Sequence, residues 1–212
     1  MYRHVFWDLG GTLVNTYPQL DETLAGVVHK HGGQVTTAEV ATWTRRSTGA
    51  AIDELARRFG IPVGEFEAAE AALKDLWRAY PAPAMPGARE LMDDIAAAGG
   101  LNLVVTHRDR DSAMALIGGL DLPVDDLVST SDGHPRKPDP AMYLAMLQAH
   151  DLSPADCLGV GDRPIDAEAA HAAGIDAAVL ESAAAPVDDD AEHSVETLDQ
   201  LRPLLGLRQP ES

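Results

Sequence analysis

Residues 5–13 read Val5-Phe6-Trp7-Asp8-Leu9-Gly10-Gly11-Thr12-Leu13: three bulky apolar residues, one carboxylate, then a pair of glycines. Val, Phe and Trp favour a strand, and glycine frees the backbone where the chain must turn sharply. A strand that ends in this way leaves Asp8 at its carboxyl end, beside the backbone N–H groups of the turn. In sheets flanked by helices, that end is where ligands collect. Asp8 is therefore either a turn residue in an ordinary α/β protein or a carboxylate placed for nucleophilic chemistry.

The rest of the chain supplies the sheet. Residues 17 to about 82 carry helical spacing and no convincing strand: Leu20, Leu24, Val27 and Val28, then Ala51, Ile52, Leu55 and Phe59, then Phe66, Ala69, Leu73 and Trp77. The proline-rich stretch 80–87 breaks both helix and strand. Beyond it the pattern alternates, predicting helices near 87–99, 110–119, 139–150, 165–173 and 195–205 and strands near 101–106, 126–130, 156–161 and 175–180. Such alternation predicts a doubly wound parallel α/β sheet of Rossmann type with an inserted helical unit. The core is expected at 1–15 and 83–212, and a helical cap at 16–82. Asp8, Thr106 and Asp162 then fall at strand ends and Lys137 in a loop after another strand. Topology alone predicts that these four share a pocket beneath the cap.

Composition narrows the partners. Sixteen Lys and Arg against 34 Asp and Glu give a formal charge of −18, which argues against binding nucleic acid, since a phosphate backbone demands a basic face. An anionic small substrate would need local positive charge from a metal or from placed Lys and Arg. No apolar run approaches the ~20 residues of a membrane span, and the opening Met-Tyr-Arg-His lacks the zones of a secretory signal. A cytoplasmic protein with no membrane partner is expected. Cys157 sits in an apolar stretch and reads as a buried, inert thiol. The run Asp188-Asp189-Asp190 reads as a solvated loop.

Three further segments share the pattern of the first: Leu103-Val104-Val105-Thr106, Pro135-Arg136-Lys137-Pro138-Asp139-Pro140, and Gly159-Val160-Gly161-Asp162-Arg163-Pro164-Ile165-Asp166. In this order and at these separations the four segments resemble the motifs of the haloacid dehalogenase-like (HAD) hydrolase superfamily. The nearest likeness is to the phosphoglycolate-phosphatase-like branch with its small helical cap. The resemblance spans nearly the whole chain. It implies a Mg²⁺-dependent phosphatase acting on a small phosphorylated metabolite through an aspartyl-phosphate. Asp8, Thr106 and Lys137 would be catalytic. Asp8, Asp162 and the Gly10 carbonyl would hold the metal, with Asp166 in or near its second shell. One departure matters: Gly10 stands where the family's phosphatases carry a second aspartate as acid and base.

The residues themselves leave alternatives open. Asp8, Asp162 and Asp166 in one cleft would repel one another unless a cation joined them, and hard carboxylate oxygens suit Mg²⁺. Asp162 precedes a helix near Pro164 and is equally suited to capping it. Lys137 could neutralise a phosphoryl group and Asp8 or be a solvated loop lysine. His107, Arg108, His134 and Arg163 flank the motifs as candidate substrate contacts; in the cap the candidates are Arg45, Arg46, Thr48 and Gly49. Without an acid at position 10 the chain is expected to be slow on alkyl phosphates unless His107, His134, Asn15 or Tyr17 substitutes. A positive φ at Gly10 would also disfavour a side chain there. The other readings are a hydrolase of acyl phosphates or phosphonates, and a catalytically weak phosphate-binding or regulatory protein.

Overall fold

The structure is a computed structural model and describes residues 1–182 and 191–209. Asp188-Asp189-Asp190 lies outside the described residues. Six strands form one all-parallel sheet: β1 (His4–Trp7), β2 (Asn102–Thr106), β3 (Asp126–Ser129), β4 (Cys157–Gly161), β5 (Asp176–Leu180) and β6 (His193–Val195). Their spatial order is β3-β2-β1-β4-β5-β6. The chain builds outward from β1 in one direction and then returns to build outward in the other, so the order reverses between β1 and β4.

Parallel strands covered on both faces read as continuous apolar runs. Val5, Trp7, Val104, Leu158, Val160, Ala178 and Leu180 pack into one core layer, and Phe6, Leu103, Val105, Ala177 and Val179 into the other. The first layer is closed by α5 (Ala88–Ala97) and α6 (Arg110–Gly119) and the second by α7 (Ala141–Ala149) and α8 (Pro164–Ala172). Phe6 stacks on Tyr143 with ring centres 5.6 Å apart. One polar group is built into the first layer: Asn102, wholly buried, accepts from Trp7 Nε1 at 3.0 Å and donates to the Met92 carbonyl at 2.9 Å.

Between β1 and α5 lie four further helices, α1 (Tyr17–Lys30), α2 (Thr37–Thr44), α3 (Thr48–Phe59) and α4 (Val63–Ala79). Leu24, Val28, Leu55 and Phe66 are fully buried among them, each contributing about 1.5–3 kcal/mol through removal of apolar surface from water. The chain leaves the sheet and returns to it side by side: Asn15 N–H donates to the Pro83 carbonyl and Met85 N–H to the Leu13 carbonyl, both at 2.8 Å. With α4 also packed on α6, the four helices overhang the carboxyl ends of the central strands. No helix among the described residues is long and apolar enough to cross a membrane.

The sequence reading is corrected at the C-terminal side. A helix is predicted near 195–205; the chain instead forms β6, which the reading lacks, and a single 3-10 turn at Leu198–Leu201. Leu198, Leu201 and Leu205 have helix-like spacing and are buried, but Pro203 has no N–H to continue a helix.

Candidate active site

The strand-order reversal creates a crevice beside β1, the place where α/β sheets bind ligands. Asp8 follows β1, and its N–H donates to the Val160 carbonyl at 2.8 Å, which fixes the end of β1 against β4. Asp162 follows β4, and Asp166 lies on the first turn of α8. Carboxylate oxygens of Asp8, Asp162 and Asp166 lie within 4.8 Å of one another, and all three side chains are buried. Two glycines permit this crowding. A Cβ on Gly161 would fall 2.3 Å from Asp166 Cβ. At Gly11, whose φ of 95° is itself unfavourable for any side chain, a Cβ would fall 2.3 Å from the Tyr17 ring and 2.7 Å from Asp162 Oδ2.

Lys137 is fully buried and central to the cluster. Its Nζ donates to Asp8 Oδ1 at 2.6 Å and to the Val105 carbonyl at 2.9 Å, and forms an ion pair with Asp166 Oδ1 at 2.5 Å. A solvated loop lysine is thereby ruled out. Burial alone would lower the Lys137 pKa, but Asp166 and Asp8 outweigh it and hold the ammonium above its ordinary value. Burial would likewise raise Asp8, yet Lys137 and Arg163 hold its carboxyl below the usual range. Asp162 goes the other way: burial, reinforced by the charges of Asp8 and Asp166, pushes it up to about 7.

Asp162 does not cap α8. Its Oδ1 accepts from Thr12 Oγ1 at 3.1 Å and its Oδ2 from the Tyr17 hydroxyl at 2.7 Å. The capping bond comes from Asp166, whose Oδ2 accepts from Arg163 N–H at 3.2 Å. The cluster therefore holds three carboxylates against one direct lysine, with Asp162 disfavoured as an anion and Asp166 Oδ1 lacking any hydrogen bond beyond its ion pair. All the side-chain donors are hard oxygens. The residues present fit a divalent cation of the Mg²⁺ type.

The cavity above Asp8 has a volume of about 750 Å³. Its floor includes Asp8, Gly10, Thr106, His107, Arg108, Lys137 and Arg163; its roof includes Tyr17, Arg46, Ser47, Thr48, Gly49, Lys74 and Trp77 from the four-helix unit. Thr106 is buried at the end of β2, where its hydroxyl accepts from Arg108 N–H at 3.1 Å. Burial, with Lys137 and Arg136 nearby, depresses the His107 pKa to about 3, so the ring is neutral at ordinary pH. Arg163 stays cationic, since Asp166 and Asp8 more than offset its burial.

Asp162 and Asp166 join Asp8 in the carboxylate cluster without lining the cavity, the former bonded by Tyr17. Other expected residues stand elsewhere. His134 and Asn15 are not in the wall. Arg45 does not face the cavity either: its guanidinium lies 3.6 Å over the Tyr17 ring and bonds Asp21 at 3.3 Å. Thr12, which bonds Asp162, and Arg136, in the cavity wall, carry no signal in the sequence beyond adjacency to Gly11 and to Lys137, and Thr16, also in the wall, carries none.

A family model for haloacid dehalogenase-like hydrolases matches residues 2–174. The chain belongs to this family. It is 31% identical over 179 residues to a validoxylamine A 7'-phosphate phosphatase of Streptomyces hygroscopicus subsp. limoneus, covering 82% of this chain and 84% of the relative. It is 30% identical over 192 residues to a phosphoglycolate phosphatase of Rhodospirillum rubrum, covering 85% and 80%. Among solved structures, a HAD family hydrolase from Deinococcus radiodurans with bound phosphate and sodium superposes with a TM-score of 0.81 over 99% of both chains at 22% identity, a likeness of fold. Within the family, this protein belongs to the phosphoglycolate-phosphatase-like branch of the HAD hydrolases.

Proposed function

We propose that this HAD hydrolase is a phosphatase for a small phosphorylated metabolite and that Asp8 is its nucleophile. The observation that carries this reading is a buried Asp8 carboxylate, kept ionised by Lys137 at 2.6 Å, in the floor of a cavity about 750 Å³ in volume. What the names of both relatives share is a phosphate ester. Asp8 attacks phosphorus in line, the alcohol departs, and water cleaves the aspartyl-phosphate. Lys137 holds Asp8 ionised and the Thr106 hydroxyl donates to a phosphoryl oxygen. His107 N–H and the Leu9–Gly10 turn add backbone donors, while Arg163 balances charge at the wall.

Asp8, Asp162 and the Gly10 carbonyl would hold Mg²⁺, with Asp166 beside it. A bound Mg²⁺ would neutralise the carboxylates and draw charge from the phosphoryl oxygens. The helical unit, residues 16–82, serves as the cap that roofs the cavity and excludes water.

The test is a panel of phosphate monoesters assayed with Mg²⁺ and with EDTA, for the native chain and for Asp8→Asn. Sustained turnover that needs Mg²⁺ and falls to background in a folded Asp8→Asn protein is expected. Native-like turnover in that variant would remove Asp8 from the role. Phosphate binding without turnover of any ester would leave the binding-protein reading in its place.

A further inference from the structure

The one departure from the phosphatase pattern has a defined neighbourhood. Gly10 is not in the left-handed region, unlike Gly11, so its backbone would accept a side chain. A Cβ built there would lie 3.1 Å from Thr16 Oγ1 and 4.0 Å from Arg108 Nη2. The space into which a carboxylate would project is thus bordered by a hydroxyl and a guanidinium.

Arg108 is held in that place. Its backbone N–H donates to Thr106 Oγ1 at 3.1 Å, its Nη1 donates to Ser112 Oγ at 3.0 Å, and its guanidinium carbon lies 5.0 Å from the Trp77 ring centre. Ser112 is itself buried and fixed by a 2.9 Å bond from its N–H to Asp109. Nη1 is therefore an anchor, and Nη2 faces the cavity beside Gly10. The other candidates for the missing group are occupied or unsuited: the Tyr17 hydroxyl is bonded to Asp162, and His107 is a neutral ring with a buried, unpartnered Nε2.

We infer that Arg108 is a catalytic residue of the phosphatase reaction proposed above: its Nη2 donates to the oxygen leaving phosphorus, giving electrostatically what a carboxylic acid at position 10 gives by proton transfer. The inference rests on that reading of the site. As Asp8 bonds to phosphorus, the P–O bond to the alcohol breaks and its electron pair stays on the leaving oxygen. The guanidinium keeps its own protons, as arginine does in proteins, and spreads the new charge across a short hydrogen bond. The alcoholate takes a proton from water. The hydroxide so formed attacks phosphorus in the aspartyl-phosphate, regenerating the Asp8 carboxylate and releasing hydrogen phosphate.

The test is a series of esters with uncharged leaving groups, from 4-nitrophenyl through phenyl to ethyl phosphate, with kcat and KM measured separately. The chains are the native one, Arg108→Met, Arg108→Lys and Arg108→Met combined with Gly10→Asp, each checked for folding by circular dichroism. Arg108→Met is expected to lower kcat on the ethyl ester by about 10²–10³, the usual loss for one oxyanion donor, and on the nitrophenyl ester by less than about 10-fold. KM should change little. Gly10→Asp should restore much of the alkyl rate when combined with Arg108→Met, and Arg108→Lys, which keeps the charge and most of the stem, should fall between. An equal loss across the series, or a loss confined to KM, would show that Arg108 only grips the phosphoryl group or packs the cavity, and would overturn the inference while sparing the phosphatase reading. Absence of turnover by the native chain on every ester would overturn both.

Discussion

Replacing Asp162 by asparagine should make the metal-free protein more stable. In the folded chain, burial and the charges of Asp8 and Asp166 raise this carboxyl from 3.8 to about 7. Each unit corresponds to about 1.4 kcal/mol, so keeping Asp162 ionised at pH 8 costs on the order of 4 kcal/mol without a cation. Asparagine keeps nearly the same volume, and both of its partners, the Thr12 and Tyr17 hydroxyls, can rotate to accept from the amide. Asp162→Asn should therefore gain about 2–4 kcal/mol at pH 8 in EDTA, or about 4–16 °C in Tm for a chain of this size. The sign with pH is fixed by the raised pKa: native stability falls as pH rises from about 4 to about 7, so the gain is full above pH 7 and gone near pH 4. Adding Mg²⁺ should stabilise the native chain by mass action and leave the variant nearly unmoved, reversing their order. Thermal unfolding at several pH values with EDTA and with Mg²⁺ reads all of this. A variant less stable than the native chain in EDTA at pH 8, or a gain that persists at pH 4, would refute the charge argument.

Lys137→Met should cost about 3–5 kcal/mol at neutral pH, because it strands two buried carboxylates; urea midpoints measure it, and the loss should shrink as pH falls or when Asp8→Asn is added. An unchanged midpoint would contradict the role given to Lys137. Asn102→Ala leaves the Trp7 N–H and the Met92 carbonyl buried without partners and should cost about 2–5 kcal/mol in urea unfolding followed by tryptophan fluorescence. A loss below about 1 kcal/mol would mean that the two groups find other partners.

The sheet was legible because its signal is local. Runs such as Leu103-Val104-Val105 name a strand buried on both faces, and the intervening helices carry their own spacing, so parallel topology followed and with it the convergence of residues more than 150 positions apart. The short α2 was not resolved as a separate element, although Thr36 and Glu39 form a capping box at its start, because eight residues hold too little periodicity. The placement of candidate site residues was legible wherever a strand end dictated it, as for Asp8, Thr106 and Asp162. It was not legible where the helical unit supplies the contact. That Tyr17 screens Asp162, that Arg45 covers Tyr17 and misses the cavity, and that Arg108 lies under Trp77 all depend on how α1–α4 sit on the core, which no spacing records.

The strand order has a consequence in time. β1 lies at the centre of the sheet, yet its two partners, β2 and β4, begin about 100 and 150 residues later in the chain. At a synthesis rate of about 5–20 residues per second, Val5-Phe6-Trp7 waits about 8–30 s for its second partner to be made. The four helices can meanwhile collapse on contacts close in sequence, whereas the sheet must close long loops before any pairing rewards it. The nascent chain thus passes through a window in which its central strand lacks one or both of its partners and is open to association with other chains. Asp8 and Asp162 are brought together only by the pairing of β1 with β4, so the repulsive carboxylate cluster cannot form before that pairing does.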